Sequence, residues 1–418
     1  MKKLLIAVLC LMLTGCAAPA PSDGSGPDRS VSPDIPAPSP AASSAPNGES
    51  GPPQASPETD PETAENPSAS QEPSESSLGP QNQEQIIQEL LSAMTLEEKV
   101  GQMFFVRCPE TGGAELAAQY KVGGYLLFGR DFKDKTAQQV RDDIQSYQDA
   151  SGIPLLIGTD EEGGTVVRAS SNPDLFPQRE PAPQTLFAQG GMDLILQDAR
   201  QKSMTLLDLG VNVNFAPVAD VSTDPADFIY ARSFGQDAQA TANYVAQVVG
   251  VMGEEQIGSV LKHFLGYGNN VDTHTGIALD QRPYETFQTS DFLPFQAGIQ
   301  AGADAVLVSH NIAASMDESL PASLSPTVHK VLREELGFDG VVLTDDLAMD
   351  AVMEYAQNGS AAVLAIQAGN DMVVTTDFQT QIPQVIHAVQ SGVIAESQID
   401  QAVTRVLNWK YELGLLGN

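Results

Sequence analysis

Eight short apolar runs recur along the chain, each bounded by glycine or polar residues. They are GQMFFVR (101–107), VGGYLLFG (122–129), IPLLIGTD (153–160), VNVNFAPVAD (211–220), IGSVLKHF (257–264), ADAVLVSH (303–310), DGVVLTDD (339–346) and NDMVVTT (370–376). Longer stretches of helical periodicity lie between them, such as TAQQVRDDIQSYQDA (136–150), ATANYVAQVVGVMGEEQ (240–256) and PQVIHAVQSG (383–392). The segment SQIDQAVTRVLNWKYELGLL (397–416) predicts a C-terminal helix. MTLEEKVGQM predicts a helix start, with Thr95 as N-cap and Glu98 three residues on as its capping-box partner. Strands alternating with helices argue for a parallel sheet covered by helices. Eight such units match an α/β fold of the (β/α)8 type, which takes about 250 residues plus loops. A doubly wound open sheet is the alternative.

A barrel carries its reactive groups where strands end, at the C-terminal face. Polar residues stand at five of these ends: Asp160, Asp220, the pair Lys262–His263, His310 and Asp345. Charges buried at a barrel rim are costly unless paired or used. The stretch KHFLGYGNNVDTH (262–274) holds two of the chain's five histidines. Read on its own, it is an acid/base device, a metal site or a solvated turn. No Cys/His cluster has zinc spacing and HExxH is absent; the aspartates lie on different strand ends without a recurring ligand spacing, and no metal or organic cofactor is expected.

The N-terminus is organised differently. Two lysines precede an apolar run ending in small residues, the pattern of a secretory signal over residues 1–15. LTGC (13–16) resembles a bacterial lipobox, which implies cleavage before Cys16 and a lipid on its sulfur. Residues 17–82 contain 15 Pro and 14 Ser and almost no large apolar side chain. Such a segment buries too little surface to offset its ordering entropy. Residues 16–82 therefore read as a lipidated, disordered tether and 83–418 as the barrel. As a coil the tether would span roughly 45 Å, and in polyproline geometry about 200 Å. With Cys10 in the signal and Cys16 lipidated, Cys108 alone remains, so the barrel has no internal disulfide. The formal net charge of −33 argues against a nucleic-acid partner.

Several motifs resemble family 3 glycoside hydrolases. VLREELGFDGVVLTDDLAM (331–349) is similar to the signature around that family's catalytic aspartate, and GTDEEGGTVVR (158–168) to its Asp-Gln-Glu-Gly-Gly sugar-binding turn. ARSFG, NFAPVADV, VSHNIA and PASLSP fit in the expected order over residues 95–415. The stretch 262–274 resembles the Lys-His-Phe-Pro-Gly-His-Gly loop and Asp-Ser-His of the β-N-acetylhexosaminidase branch. Here Leu265, Tyr267, Asn269, Glu161 and Thr273 depart from the usual residues, and the loop is one residue shorter.

The resemblance implies a retaining exo-β-N-acetylglucosaminidase. It makes Asp345 the nucleophile and His274, oriented by Asp272, the acid/base. Asp160, Arg168, Arg232, Lys262 and His263 would hold the sugar, with His310 supporting the site from behind. Gly266, Gly268 and Gly276 would let the loop close. His329 and His387 read as ordinary helix residues. The implied substrate is an N-acetylglucosamine-containing oligosaccharide such as a peptidoglycan fragment. The protein would be a monomer held by its lipid at the extracytoplasmic face of the cell membrane. The alternatives are a β-glucosidase or β-xylosidase, a phosphorylase of the same family, or a sugar-binding lipoprotein without activity.

Overall fold

The computed structural model describes residues 80–270, 278–349, 352, 355 and 360–417. The expected signal, Cys16 and nearly all of the tether lie outside the described residues, as do Asp272, His274 and Gly276.

Ten strands occur among the described residues: β1 Phe104–Arg107, β2 Gly124–Leu127, β3 Leu156–Thr159, β4 Val213–Asn214, β5 Gly258–Phe264, β6 Leu279–Asp280, β7 Ala305–Val308, β8 Ile312–Ala313, β9 Val341–Thr344 and β10 Val373–Thr375. Eight of them form one parallel sheet in the order β10-β1-β2-β3-β4-β5-β7-β9, one from each apolar run of the sequence. A bridge between Leu343 and Met372 joins the first and last strands, so the sheet closes. This is the expected (β/α)8 barrel; an open doubly wound sheet would leave both edges unpaired. β6 and β8 form a separate short parallel ladder, Leu279 opposite Ile312 and Asp280 opposite Ala313.

Alternation along each strand sorts the side chains. Phe105, Leu126, Leu156, Val213, Val260, Leu307, Leu343 and Val374 belong to the barrel interior. Phe104, Tyr125, Ile157, Leu261, Val306 and Val342 pack outward under the helices. Both faces are buried, which is why the strands read as continuous apolar runs. Trp409 and Val406, from the helix Glu396–Glu412, belong to the interior cluster. A Cβ on Gly258, at the start of β5, would lie 3.1 Å from the Trp409 ring, so the indole plugs the N-terminal end.

The helices start where local chemistry allows. Glu98 N donates to Thr95 Oγ1 at 3.2 Å and Thr95 N to Glu98 Oε2 at 2.9 Å, the expected capping box. Thr136 and Gln139 cap Ala137–Asp149 in the same way. Ala238–Glu254 buries Thr241, Val245, Val248 and Met252, a stripe of helical spacing. The first helix, Pro80–Ala93, begins three residues before the boundary expected at 83. It docks on the C-terminal helix, where Gln83 Nε2 donates to Asn408 Oδ1 at 3.1 Å.

Candidate active site

The inward parity of the strands carries through to the C-terminal mouth, within β1 and β5 and one step past the ends of β2, β3 and β9. Phe105 is followed two residues on by Arg107, Leu126 by Phe128, Gly158 by Asp160, Val260 by Lys262 and Leu343 by Asp345. All five of these side chains line one cavity of about 330 Å³, together with Arg168, Arg232, His263 and Asp346. Its floor is apolar, made by Leu126, Phe215, Leu307 and Val374.

The turn after β3 holds three consecutive carboxylates with three different tasks. Asp160 faces the cavity; its Oδ1 accepts from Lys262 Nζ at 2.8 Å and its Oδ2 from Arg168 Nη2 at 3.2 Å. Glu161 folds under the turn and is fully buried. Its Oε2 accepts the backbone N–H groups of Arg168, Ala169 and Ser170 at 2.9, 2.7 and 3.3 Å, and Oε1 accepts the Ser170 hydroxyl. This carboxylate, where the family usually has glutamine, fixes the backbone that carries Arg168. Glu162 accepts from Arg232 Nε at 3.0 Å and Nη2 at 2.7 Å, a bidentate pair, and lies 2.5 Å from Lys262 Nζ. Burial alone would raise the Glu162 carboxyl, but Lys262 and Arg232 outweigh it and hold it far below the usual carboxylate range.

β5 carries a register shift between Leu261 and Phe264, and Lys262 and His263 sit in it. The Lys262–His263 and Phe264–Leu265 peptides are cis. His263 Nδ1 is 2.7 Å from Asp220 Oδ2, and its Nε2 is 2.9 Å from Arg232 Nη2. A guanidinium donates only, so Nε2 accepts and Nδ1 carries the proton to Asp220. The nitrogen that His263 would offer a sugar hydroxyl is therefore the one already accepting from Arg232. Asp220 also accepts the backbone N–H groups of His263 at 3.1 Å and Tyr267 at 2.7 Å. It is buried completely and shapes the start of the loop.

Gly266 and Gly268, expected to lend the loop freedom to close, do something else. Both have positive φ, +104° and +54°. A Cβ on Gly266 would lie 2.5 Å from Asp291 Oδ1, and one on Gly268 2.5 Å from the Arg282 guanidinium. They let the backbone pass close to an ion-pair cluster, and the loop base is tightly packed. Arg282 reaches Asp280 at 2.7 Å and Asp291 at 3.0 Å. Asn270 Nδ2 donates to Asp280 Oδ2 at 2.8 Å, so the residues either side of 271–277 are tied together.

Asp345 lines the cavity from the end of β9, and its Oδ1 accepts from Asp346 N at 2.8 Å. Asp346 is committed to the local turn through Ala348 N at 2.9 Å, and burial raises its carboxyl above the usual range. His310 is buried behind them. Its Nε2 donates to the Asp346 carbonyl at 3.1 Å and its Nδ1 meets Ser323 Oγ at 2.7 Å. His329 is buried on its helix, His387 is exposed, and neither lines the cavity. Cys108 turns outward into the core, where burial pushes its thiol up to about 12.

Sequence reasoning missed Glu162, although the turn motif contains it, and gave Asp220 no role. It also passed over Phe128 and Arg107, which strand parity alone would have placed at the mouth.

A closed parallel barrel with carboxylates and cations gathered around one cavity at its C-terminal mouth defines a (β/α)8 enzyme. The family model described as "Glycosyl hydrolase family 3 N terminal domain" matches residues 95–409. The chain is 35% identical over 318 residues to a beta-hexosaminidase of Stenotrophomonas maltophilia (strain R551-3), covering 73% of this chain and 89% of that one. It superposes with a TM-score of 0.71 on a glycoside hydrolase family 3 beta-N-acetylglucosaminidase from Paenibacillus sp. str. FPU-7. The identity is 30%, over 78% of this chain and 64% of that one. A family 3 member from Mycobacterium smegmatis gives a TM-score of 0.69 at 28% identity, over 78% and 99% of the two chains. This chain belongs to glycosyl hydrolase family 3 and is a glycoside hydrolase.

Proposed function

We propose that the protein is a retaining exo-β-N-acetylglucosaminidase acting on cell-wall fragments or related oligosaccharides. The observation that carries this reading is the shared cavity: Asp345 faces the same space as Asp160, which two cations brace. The terminal sugar sits against Asp160, whose oxygens accept its hydroxyls while Lys262 and Arg168 hold the carboxylate still. Charge-assisted hydrogen bonds to the ring orient it for attack.

The Asp345 carboxylate attacks the anomeric carbon and the bond to the leaving oxygen breaks. The His274 imidazolium gives its proton to that oxygen. In the second step neutral His274 takes a proton from water as the water attacks the glycosyl–Asp345 ester. N-acetylglucosamine leaves with its anomeric configuration retained. Asp272 orients the imidazole, whose ordinary pKa near about 6.5 suits both transfers close to neutral pH. Relatives named for N-acetylhexosamine hydrolysis support the choice of sugar. We also read Cys16 as the lipid anchor and 17–82 as the tether placing the barrel outside the membrane.

The test compares 4-nitrophenyl β-N-acetylglucosaminide with the β-glucoside, following the anomer first released by NMR. The reading expects turnover of the former with β-product first. Tight N-acetylglucosamine binding without turnover of either substrate would mark a binding protein instead.

A further inference from the structure

The turn that carries Arg168 is held from behind by Glu180. Gly164 N donates to the Glu180 carbonyl at 2.9 Å, and Glu180 N donates to Ser170 Oγ at 3.0 Å. The same Ser170 hydroxyl donates to Glu161. One residue thus ties down both ends of the segment 164–170, whose Arg168 braces Asp160. The packing is close: a Cβ on Gly163 would lie 2.2 Å from the Pro181 carbonyl oxygen, and one on Gly164 2.7 Å from Ala182 Cβ. A shift of residues 180–182 therefore moves the turn with it.

The buried Glu180 side chain belongs to a cluster with too few cations. Its Oε2 lies 3.6 Å from Lys202 Nζ, beyond hydrogen-bonding distance, and accepts no hydrogen bond from a described residue. Lys202 is nearer to Asp198, at 3.1 Å, one turn back on the helix Pro183–Asp208. Two carboxyls thus share one ammonium, and the Glu161 carboxylate adds negative charge nearby. The other charges around them are engaged elsewhere: Arg179 donates to the Gly164 carbonyl, and Glu162 is paired with Lys262 and Arg232. Tyr244, from the helix Ala238–Glu254, is kept a neutral phenol by burial and by Asp198. Asp198, Lys202, Glu161, Glu162 and Tyr244 line one cavity of about 30 Å³. That is room for about one water, too little to solvate a second full charge on the pair. Burial, reinforced by Asp198 and Glu161, outweighs Lys202 and pushes the Glu180 carboxyl up to about 8.

We propose that Glu180 is a positioning residue for the sugar-binding turn: it shares one proton with Asp198, and loss of that proton to solvent displaces the turn and weakens binding of the terminal sugar. This rests on the reading of Asp160 and Arg168 as sugar-binding groups given above. The doubly ionised pair repels, Glu180 moves, and its backbone takes Gly164 and Ser170 with it. Arg168 then braces Asp160 less well.

The test is the inhibition constant of N-acetylglucosamine, a neutral ligand, against 4-nitrophenyl β-N-acetylglucosaminide at pH 7 and pH 9. Binding that needs a proton with a midpoint near about 8 should weaken about tenfold between them. The loss should fall on the inhibition constant and KM rather than on kcat. Glu180→Gln keeps a neutral group in place and should bind N-acetylglucosamine equally at both pH values. Asp198→Asn frees Lys202 for Glu180 and should move the midpoint down by about one pH unit or more. Should Glu180→Gln not fold, Asp198→Asn decides alone. An unchanged pH dependence in either variant would show that Glu180 is only structural and overturn the proposal. A wild-type inhibition constant equal at pH 7 and pH 9 would overturn it without any variant, leaving the N-acetylglucosaminidase reading intact. An enzyme that neither turns over the aryl glycoside nor binds N-acetylglucosamine at either pH would overturn both.

Discussion

Lys262 Nζ lies 2.5 Å from Glu162 Oε1, with both side chains almost wholly buried beneath the cavity. Glu162 is the common anchor of two of the cavity's cations, Lys262 and Arg232, because the same oxygen accepts from both. Glu162→Gln leaves two buried cations sharing less negative charge, and breaking such a pair costs about 3–5 kcal/mol. The expected outcome is a melting temperature lower by several degrees and a KM raised at least tenfold. A variant with unchanged melting and KM would remove Glu162 from this role.

Asp345→Gly should abolish formation of the glycosyl intermediate on every substrate. His274→Ala should behave differently, because an activated aryl leaving group departs without a proton. With 4-nitrophenyl β-N-acetylglucosaminide, the first-turnover burst should survive in His274→Ala. With a sugar leaving group, the rate should fall by roughly 10²–10⁴. Equal losses on both substrates would count against His274 as the acid.

Gly266→Ala tests the packed loop base. The new Cβ meets Asp291 Oδ1 at 2.5 Å from a backbone with φ of +104°, so the backbone must move or the Asp291–Arg282 pair must part. Strain of this kind costs about 1–3 kcal/mol. Activity should fall by more than tenfold in a protein that still folds, because the same loop continues to Asp272 and His274. Full activity with normal melting would sink the idea.

Lys410 predicts a pH dependence of stability. It is fully buried, with its Nζ donating to Gln102 Oε1 at 2.6 Å, and burial pulls it down from 10.5 to about 7. Between these values the unfolded chain binds a proton that the folded one does not. Stability therefore declines as pH falls from 10.5 towards 7 and levels off below. Lys410→Met should stabilise the barrel by about 1–4 kcal/mol at neutral pH, with the gain shrinking towards pH 10. Melting curves at pH 7 and 10 decide it; a pH-independent shift would contradict the charge argument.

Cys16→Ala should move the protein from the membrane fraction to the soluble fraction without changing kcat/KM on small aryl substrates. Retention in the membrane would rule out the lipid as its anchor.

Strand order was legible because parallel barrel strands are buried on both faces, so each appears as an apolar run closed by glycine or a polar residue. The rim residues Asp160, Lys262, His263 and Asp345 were legible for a related reason: a charge at the end of such a run has few places to go. Arg107 satisfied the same rule and was overlooked, because no motif drew attention to it. Gly266 and Gly268 serve close passage where freedom was expected, since a glycine needed for the one and a glycine needed for the other look alike in a sequence.

The run Asp160-Glu161-Glu162 marks the boundary between the two kinds of information. By itself the sequence determined that three acids follow β3 at the mouth of a barrel, and that cations follow at 168, 232 and 262. Only the tertiary structure decided that Asp160 faces the cavity, that Glu161 caps the turn from below and that Glu162 is buried between Lys262 and Arg232. Neighbouring carboxylates are chemically almost alike. Which cation each meets depends on side-chain direction at the strand end and on barrel closure, which brings residues 70 to 102 positions apart within hydrogen-bonding distance.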